Sequence, residues 1–234
     1  MKKIKSKNRI VVSIAGRTHP MMLDKFCDKS AHFSSILSHF SDNVVVIQSY
    51  MGEVYAPQRG DILIISGSNQ SVISMDPWMK DLERSIIESM DYNIPILGIC
   101  FGHQILAHTF GADVVKNQRG REIGSCIINL NKEGKESILF RGFKETFYAY
   151  ETHEDIVINN EAKLIELARN DYGLQAFKVN DFHYGVQFHP EFNMELMDIF
   201  IKINQKDKPI KKEVSNRNID ISNMIFTNFF ESIK

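Results

Sequence analysis

The chain has 234 residues, of which 43% are hydrophobic and 24% are charged, and these proportions are ordinary for one globular domain. A formal net charge of −1 gives no electrostatic reason to expect a nucleic acid or an anionic membrane as a partner. The three cysteines, Cys27, Cys100 and Cys126, are odd in number and far apart. They therefore argue against a disulfide framework and a paired-cysteine metal site, and a reducing cytoplasm is the simplest location.

The basic amino-terminal segment could suggest a signal peptide. The apolar run that follows it, residues 10 to 16, has the length of a strand and ends at Arg17 rather than at a small-residue cleavage site. No stretch approaches the roughly 20 apolar residues that a membrane span requires. We therefore predict neither a signal peptide nor a membrane segment.

The first half of the chain alternates short apolar runs with amphipathic segments. Asp76 and Pro77 are suited to the cap and first turn of a helix. Continuous apolar strands separated by helices predict a mostly parallel sheet with helices on both faces, whose ligand sites lie at the carboxyl ends of strands. The predicted strands are 9–16, 43–50, 61–66 and 94–99, and the predicted helices are 21–40, 77–90 and 101–110.

The second half contains shorter strand-like runs, and no linker separates it from the first half. We interpret it as a mixed or antiparallel extension of one domain covering residues 1–234, with a core at about 9–204. The predicted strands are 122–130, 146–151, 163–170, 174–179 and 182–189, followed by helices at about 193–204 and 220–233. The charge-rich segment 205–218 between these helices is predicted to be a solvated loop.

The segment PILGICFGHQ, residues 95–104, places Cys100 where a strand runs into a helix. Free cysteine is often a small buried packing residue, which is one interpretation. The other is a nucleophile on a strained turn, because Gly98 and Gly102 would relieve the crowding there. The helix would then direct its positive end at the sulfur, and the Phe101 amide would be free to bind an oxyanion.

A thiol nucleophile needs a base, and the base needs an orienting partner. The segment GVQFHPEF, residues 185–192, offers His189 and Glu191 after a predicted strand. If Phe188 ends that strand, His189 can reach across the top of the sheet toward Cys100 while Glu191 accepts from its other ring nitrogen. A histidine alone is more often structural, but its combination with the cysteine turn favours a Cys-His-Glu triad.

These motifs resemble the class I (triad) glutamine amidotransferases, with similarity from about Arg9 to Phe192. The matching segments are GICFGHQ with the later HPE, SGSNQSV at 66–72, REIG at 121–124 and THEDIV at 152–157. REIG points to the GMP synthase-like branch, and DPW at 76–78 resembles its stand-alone members, including the γ-glutamyl peptidases. The resemblance implies a three-layer, doubly wound, flavodoxin-like α/β fold with a mostly parallel sheet and a small antiparallel extension.

By matching position, the resemblance assigns the nucleophile to Cys100, the acid–base role to His189 and the orienting carboxylate to Glu191. It also assigns an oxyanion hole and a substrate pocket. Family members commonly have glycine where Ser68 stands, so the backbone of the oxyanion loop is the least secure part of the match. The oxyanion residues are Gly67, Ser68 and Phe101, and the substrate-binding residues are Gln104, Thr152, His153 and Glu154.

The implied reaction is cleavage of the γ-carboxamide of glutamine through a γ-glutamyl thioester, with no cofactor and no metal. The ammonia would pass to a partner synthase, since no phosphate-binding loop motif is present and few residues follow Glu191. A stand-alone hydrolase of γ-glutamyl amides or peptides is the alternative, and a catalytically idle regulatory protein is a third. His103, Cys27 and Cys126 are predicted to be structural, and His153 either lines the pocket or lies on the surface.

Overall fold

The computed structural model describes residues 7–160, 162–207 and 221–233. Most of the predicted loop 205–218 therefore lies outside the described residues. The eleven strands among them are β1 (Ile10–Ser13), β2 (Val44–Ile47), β3 (Ile62–Ile65), β4 (Ile96–Ile99), β5 (Asp113–Lys116), β6 (Glu122–Leu130), β7 (Thr146–His153), β8 (Asp155–Ile158), β9 (Ile165–Asn170), β10 (Gly173–Asn180) and β11 (His183–Val186). The α-helices are α1 (Pro20–Leu23), α2 (Lys29–Leu37), α3 (Pro77–Asp91), α4 (Phe101–Thr109), α5 (Lys132–Glu136), α6 (Met194–Asp207) and α7 (Ser222–Ser232).

Nine of these strands form one sheet in the order β2-β1-β3-β4-β11-β10-β9-β6-β7. The first five are parallel to one another, and β10, β9, β6 and β7 continue the sheet with antiparallel pairs. The predicted mostly parallel α/β fold with an antiparallel extension is confirmed. Strands β5 and β8 form a separate antiparallel pair that the sequence analysis did not predict.

Both faces of the sheet are apolar, which explains the continuous hydrophobic runs of its parallel strands. In β1, Ile10 and Val12 pack in the cluster that contains residues of α2 and α7, whereas Val11 packs in the cluster that contains residues of α3 and α4. Because successive strand residues face opposite sides, one short strand contributes to both layers. This packing places α4, which follows the carboxyl end of β4, on the same face of the sheet as α3.

The predicted helix 21–40 is two helices in the structure. Asp28 interrupts it by capping α2, since its carboxylate accepts a hydrogen bond from the Ala31 amide at 2.7 Å. Asp76 precedes α3 as predicted, but its side chain makes no capping hydrogen bond. The predicted strand 182–189 ends at Val186, so His189 follows the strand by three residues. Within the described residues, no helix combines the length and apolar character needed to cross a membrane.

Candidate active site

Cys100 occupies a strained turn between β4 and α4. Its φ of 53° and ψ of −102° lie in a region that residues other than glycine rarely adopt. A Cβ on Gly98 would lie 2.3 Å from the Gly102 carbonyl oxygen, and a Cβ on Gly102 would lie 2.3 Å from the Ile65 carbonyl oxygen. Both positions therefore require glycine, and the close approach of these backbones holds the turn that presents the cysteine.

His189 reaches the same place from the neighbouring strand. In the parallel pairing of β4 with β11, Val186 is the partner of Ile99, so residues that follow the two strands emerge at one edge of the sheet. The His189 amide donates to the Tyr150 carbonyl at 2.8 Å, and its ring stacks on Phe192 with centroids 4.1 Å apart. Cys100 and His189 line one small cavity. The sequence analysis expected His189 to reach Cys100 across the top of the sheet, whereas the structure brings it there from the strand next to β4.

Glu191 orients the imidazole. Nδ1 of His189 donates to Oε1 of Glu191 at 2.8 Å, and Nε2 makes no hydrogen bond to a nitrogen or oxygen atom of the described residues. Burial alone would lower the pKa of His189, but the charges of Glu191 and the Cys100 thiolate outweigh burial and raise that pKa to about 10. The site therefore favours the cationic form of the buried His189 ring.

The predicted oxyanion residues lie beside the nucleophile. A Cβ on Gly67 would be 2.9 Å from Cε1 of His189 and 3.5 Å from the Cys100 Cβ, so this glycine lies directly against both residues. Ser68 does not have a positive φ, so a serine fits the loop without left-handed strain. Its side chain fits because residue 16 is a glycine. A Cβ at Gly16 would lie 2.7 Å from the Ser68 Oγ. Phe101 is the first residue of α4 and stacks on Trp78.

A second, larger cavity of about 290 Å³ opens beside the nucleophile. Gln104 lines it, but its amide nitrogen already donates to the Asp155 carbonyl and to the Gln187 side chain, each at 3.0 Å. Its own oxygen is therefore the atom left for a ligand. The remaining predicted substrate residues, Thr152, His153 and Glu154, lie along the same cavity with Cys100.

A buried acidic cluster lies behind this wall. Nε2 of His153 is 3.0 Å from a Glu122 oxygen and 3.5 Å from a Glu151 oxygen, and Nδ1 donates to the Asp155 carbonyl at 2.8 Å. Burial and the charges of Glu122 and the Cys100 thiolate raise the pKa of Glu151 well above its ordinary value. The predicted pocket residue His153 is thus also part of the protein interior.

Three ligand atoms of Glu122, Glu151 and His153 lie within 4.8 Å of one another, as those of a metal site would. However, the two Glu122 oxygens already accept hydrogen bonds from Asn170 at 2.6 Å and Gln175 at 2.9 Å. A proton on Glu151 neutralises one of the two carboxylates without a cation. We therefore assign this cluster to the packing of the pocket wall.

Lys29 is a residue of the site that the sequence analysis missed. It is partly buried, lines the small cavity with Cys100 and His189, and its Nζ donates to the Gly67 carbonyl at 3.1 Å. Burial lowers the pKa of Lys29 to about 8, although the charges of Glu191 and Cys100 favour the cation. The only signal in the sequence is a lysine directly after the helix cap Asp28, where the helix dipole disfavours a cation.

Comparison with known proteins places these observations in a family. A family model for class-I glutamine amidotransferases matches residues 37–206. A glutamine amidotransferase-like protein of Schizosaccharomyces pombe is 28% identical over 174 residues, which cover 67% of this chain and 68% of that protein.

Two further relatives belong to GMP synthases. One is a subunit of the glutamine-hydrolysing GMP synthase of Sulfolobus acidocaldarius, which is 36% identical over 62% of this chain and 78% of its own length. The other, the glutamine-hydrolysing GMP synthase of Thermosipho melanesiensis, is 34% identical over 62% of this chain, and the match spans only 28% of that longer protein.

Solved structures share the fold. A glutamine amidotransferase of Thermotoga maritima superposes with a TM-score of 0.70 at 22% identity, over 97% of this chain and 93% of that one. A glutamine amidotransferase of Methylobacillus flagellatus superposes with a TM-score of 0.75 at 18% identity, over 97% and 95% of the two chains. At these identities the likeness concerns the fold alone.

Proposed function

Because this chain belongs to the class-I glutamine amidotransferases, a family of enzymes, and is similar to a GMP synthase subunit, we propose that it hydrolyses the γ-carboxamide of glutamine through a Cys100-His189-Glu191 triad. One observation carries this proposal. A cysteine on a strained turn shares a cavity with a histidine whose Nδ1 is held by a glutamate at 2.8 Å. That arrangement is the one that thiol acyl transfer requires.

In the proposed first step, the Cys100 thiolate attacks the γ-carbonyl carbon and forms a tetrahedral intermediate. The negative oxygen would lie near the backbone amides of Ser68 and Phe101, the second of which is at the amino-terminal end of α4. The imidazolium of His189 then donates its proton to the departing nitrogen, which leaves as ammonia. A γ-glutamyl thioester remains on Cys100.

The electrostatics of His189 suit both halves of the reaction. Its pKa is about 10 while the thiolate and Glu191 are present, so the ring starts as the acid. Acylation removes the thiolate charge and therefore one of the causes of the raised pKa. The neutral ring that has given up its proton can then accept one from water, which hydrolyses the thioester.

The cavity beside Cys100 supports the choice of substrate class. Its lining includes Thr152, His153 and Glu154, and also Phe200 and Asn204 of α6. The first three, with Gln104, are the proposed site for the α-amino and α-carboxylate groups of the glutamyl unit. The cavity volume of about 290 Å³ leaves space for a leaving group as well.

The volume of this cavity is the specific observation that favours a second candidate, the hydrolysis of γ-glutamyl amides or peptides. About 290 Å³ beside Cys100 can hold a glutamyl unit together with a leaving amine larger than ammonia. The first candidate requires a partner synthase to use the ammonia. The similarity to a protein that is one subunit of a GMP synthase supports such a partner.

The test is a substrate screen of the purified protein with glutamine, γ-glutamyl dipeptides and γ-glutamyl amines, in which ammonia and glutamate are both quantified. We expect glutamate from at least one of these substrates. Dipeptide hydrolysis much faster than glutamine hydrolysis, without a partner, selects the second candidate. No turnover of any γ-glutamyl compound, alone or with candidate synthases, contradicts both.

A further inference from the structure

The position of Lys29 is set by contacts that do not depend on its charge. Its backbone amide donates to the Thr18 Oγ1 at 3.0 Å, and Asp28 caps the helix that it begins. Aspartate or glutamate would be favoured in this first helical turn, because the amino-terminal end of a helix attracts anions. A cation that breaks this local preference and turns toward the triad is therefore a candidate for a role in the site.

The carbonyl that Lys29 contacts belongs to the oxyanion loop. The Gly67 oxygen accepts from Nζ of Lys29 at 3.1 Å and from the Ser66 Oγ at 3.2 Å. In a planar trans peptide the carbonyl and the following N–H point in opposite directions. Donors that hold the Gly67 oxygen on one side therefore direct the Ser68 N–H to the other side, and Cys100 lies against this loop.

The charge of Lys29 also completes the balance of the site. In the proposed reactive state, the thiolate of Cys100, the imidazolium of His189 and the carboxylate of Glu191 together carry one net negative charge. The partly buried ammonium of Lys29 faces this group in the same cavity. His32 is the other titratable residue of α2 that lines this cavity. Its Nε2 lies 2.7 Å from the Glu191 carbonyl oxygen, whereas Lys29 contacts the Gly67 carbonyl oxygen.

We propose that Lys29 is a positioning residue that orients the Gly67–Ser68 peptide, so that the Ser68 N–H binds the oxyanion of the tetrahedral intermediate. This role rests on the proposed γ-glutamyl hydrolysis. Lys29 acts through the loop and does not touch the substrate. It therefore contributes to the transition state and little to substrate binding.

The experiment compares Lys29→Met, Lys29→Arg and the control Lys25→Met in steady-state hydrolysis of the best substrate from the screen, with thermal unfolding of each variant. Methionine keeps the length of the aliphatic part of the lysine side chain and removes the ammonium group. Lys25 serves as the control because it is exposed and lies near the same helix. Deleting an oxyanion donor costs about 10²- to 10³-fold in kcat, so losing the support of one should cost about 10- to 100-fold. KM should change by less than about threefold.

Thermal unfolding separates positioning from a structural role. The lowered pKa of Lys29 means that burial disfavours its cation in the folded protein, so Lys29→Met should have a Tm equal to or above that of the wild type. Lys29→Arg, which retains a cationic donor, should recover at least part of the lost kcat. Lys25→Met should behave as the wild type.

Two outcomes overturn the assignment of Lys29 while leaving hydrolysis itself intact. One is a kcat for Lys29→Met within about twofold of the wild type. The other is a loss of activity that is confined to KM or accompanied by a matching fall in Tm. A wild-type protein that turns over no γ-glutamyl substrate would instead contradict the proposed function, so the two failures are distinguishable.

Discussion

The side chains of His189 and Glu191 form a 2.8 Å hydrogen bond although only Pro190 separates the two residues in sequence. Each is anchored by a different part of the protein. The His189 amide donates to the Tyr150 carbonyl, and the Glu191 carbonyl lies 2.7 Å from Nε2 of His32. These contacts within the protein thus hold the His189 ring in one orientation against Glu191.

Replacing Glu191 by glutamine removes the negative charge that offsets the cost of burying the His189 cation. We expect Glu191→Gln to lower kcat by about 10²- to 10⁴-fold, the range of general acid–base contributions. Steady-state kinetics provide the measurement, and circular dichroism checks the fold. Glu195→Gln, an exposed change in the following helix, is the matched control. Equal kcat values for the two variants would remove Glu191 from the triad.

Cys100→Ala should abolish turnover, because no other group in the site can form the thioester. A diazo-ketone analogue of glutamine should label the wild type at one thiol, detected by intact mass and peptide mapping. Cys126→Ala is the control, since that partly buried thiol lies away from the two cavities that contain Cys100. Persistent stoichiometric labelling of Cys100→Ala would mean that another cysteine is the nucleophile.

Gly67→Ala should reduce activity more than stability. The new Cβ would lie 2.9 Å from the His189 ring, and a side chain can move to relieve the contact. We expect a fall in kcat of at least about tenfold, because misplacement of a catalytic group by 1 Å can cost 10²-fold. Kinetics and thermal unfolding measured together test this, and full activity would show that the ring tolerates the methyl group.

Gly98→Ala, in contrast, should reduce stability more than activity. Its Cβ would lie 2.3 Å from a backbone oxygen of Gly102, which cannot move without disturbing the turn. We expect destabilisation by roughly 1–3 kcal/mol, the usual cost of overpacking a well-packed interior. Chemical denaturation gives the free energy of unfolding. A stability equal to that of the wild type would contradict the close packing of β4 against α4.

Glu151 makes stability depend on pH. Its raised pKa keeps it protonated in the folded protein, whereas it ionises above about pH 4.5 in the unfolded chain. The folded state then binds more protons, so this group lowers the free energy of unfolding as pH rises, by at most about 1.4 kcal/mol per unit. Glu151→Gln should therefore gain stability relative to the wild type between pH 5 and pH 8.

The measurement for Glu151 is the free energy of unfolding from urea titrations at pH 5 and pH 8. The exposed Glu136→Gln is the matched control and should shift little relative to the wild type between the two pH values. A difference between Glu151→Gln and the wild type that is constant with pH would mean that Glu151 is ionised in the folded protein.

The amino-acid sequence alone determined the parallel core and the cysteine turn. Apolar runs buried on both faces have a strong local pattern, and Gly98 and Gly102 indicate a backbone approach that only glycine permits. The positions of His189 and Glu191 after a strand were also visible, since strands of a parallel sheet end at one edge. The site roles of these residues stay predictions until activity is measured.

Only the tertiary structure decided which distant groups meet. Four features join segments that are far apart in the chain. They are the pair β5–β8, the contact of Lys29 with Gly67, the space that Gly16 leaves for Ser68, and the enclosure of Glu151 with Glu122 and His153. No local periodicity encodes such contacts, because they depend on how layers pack and on the burial that shifts each pKa.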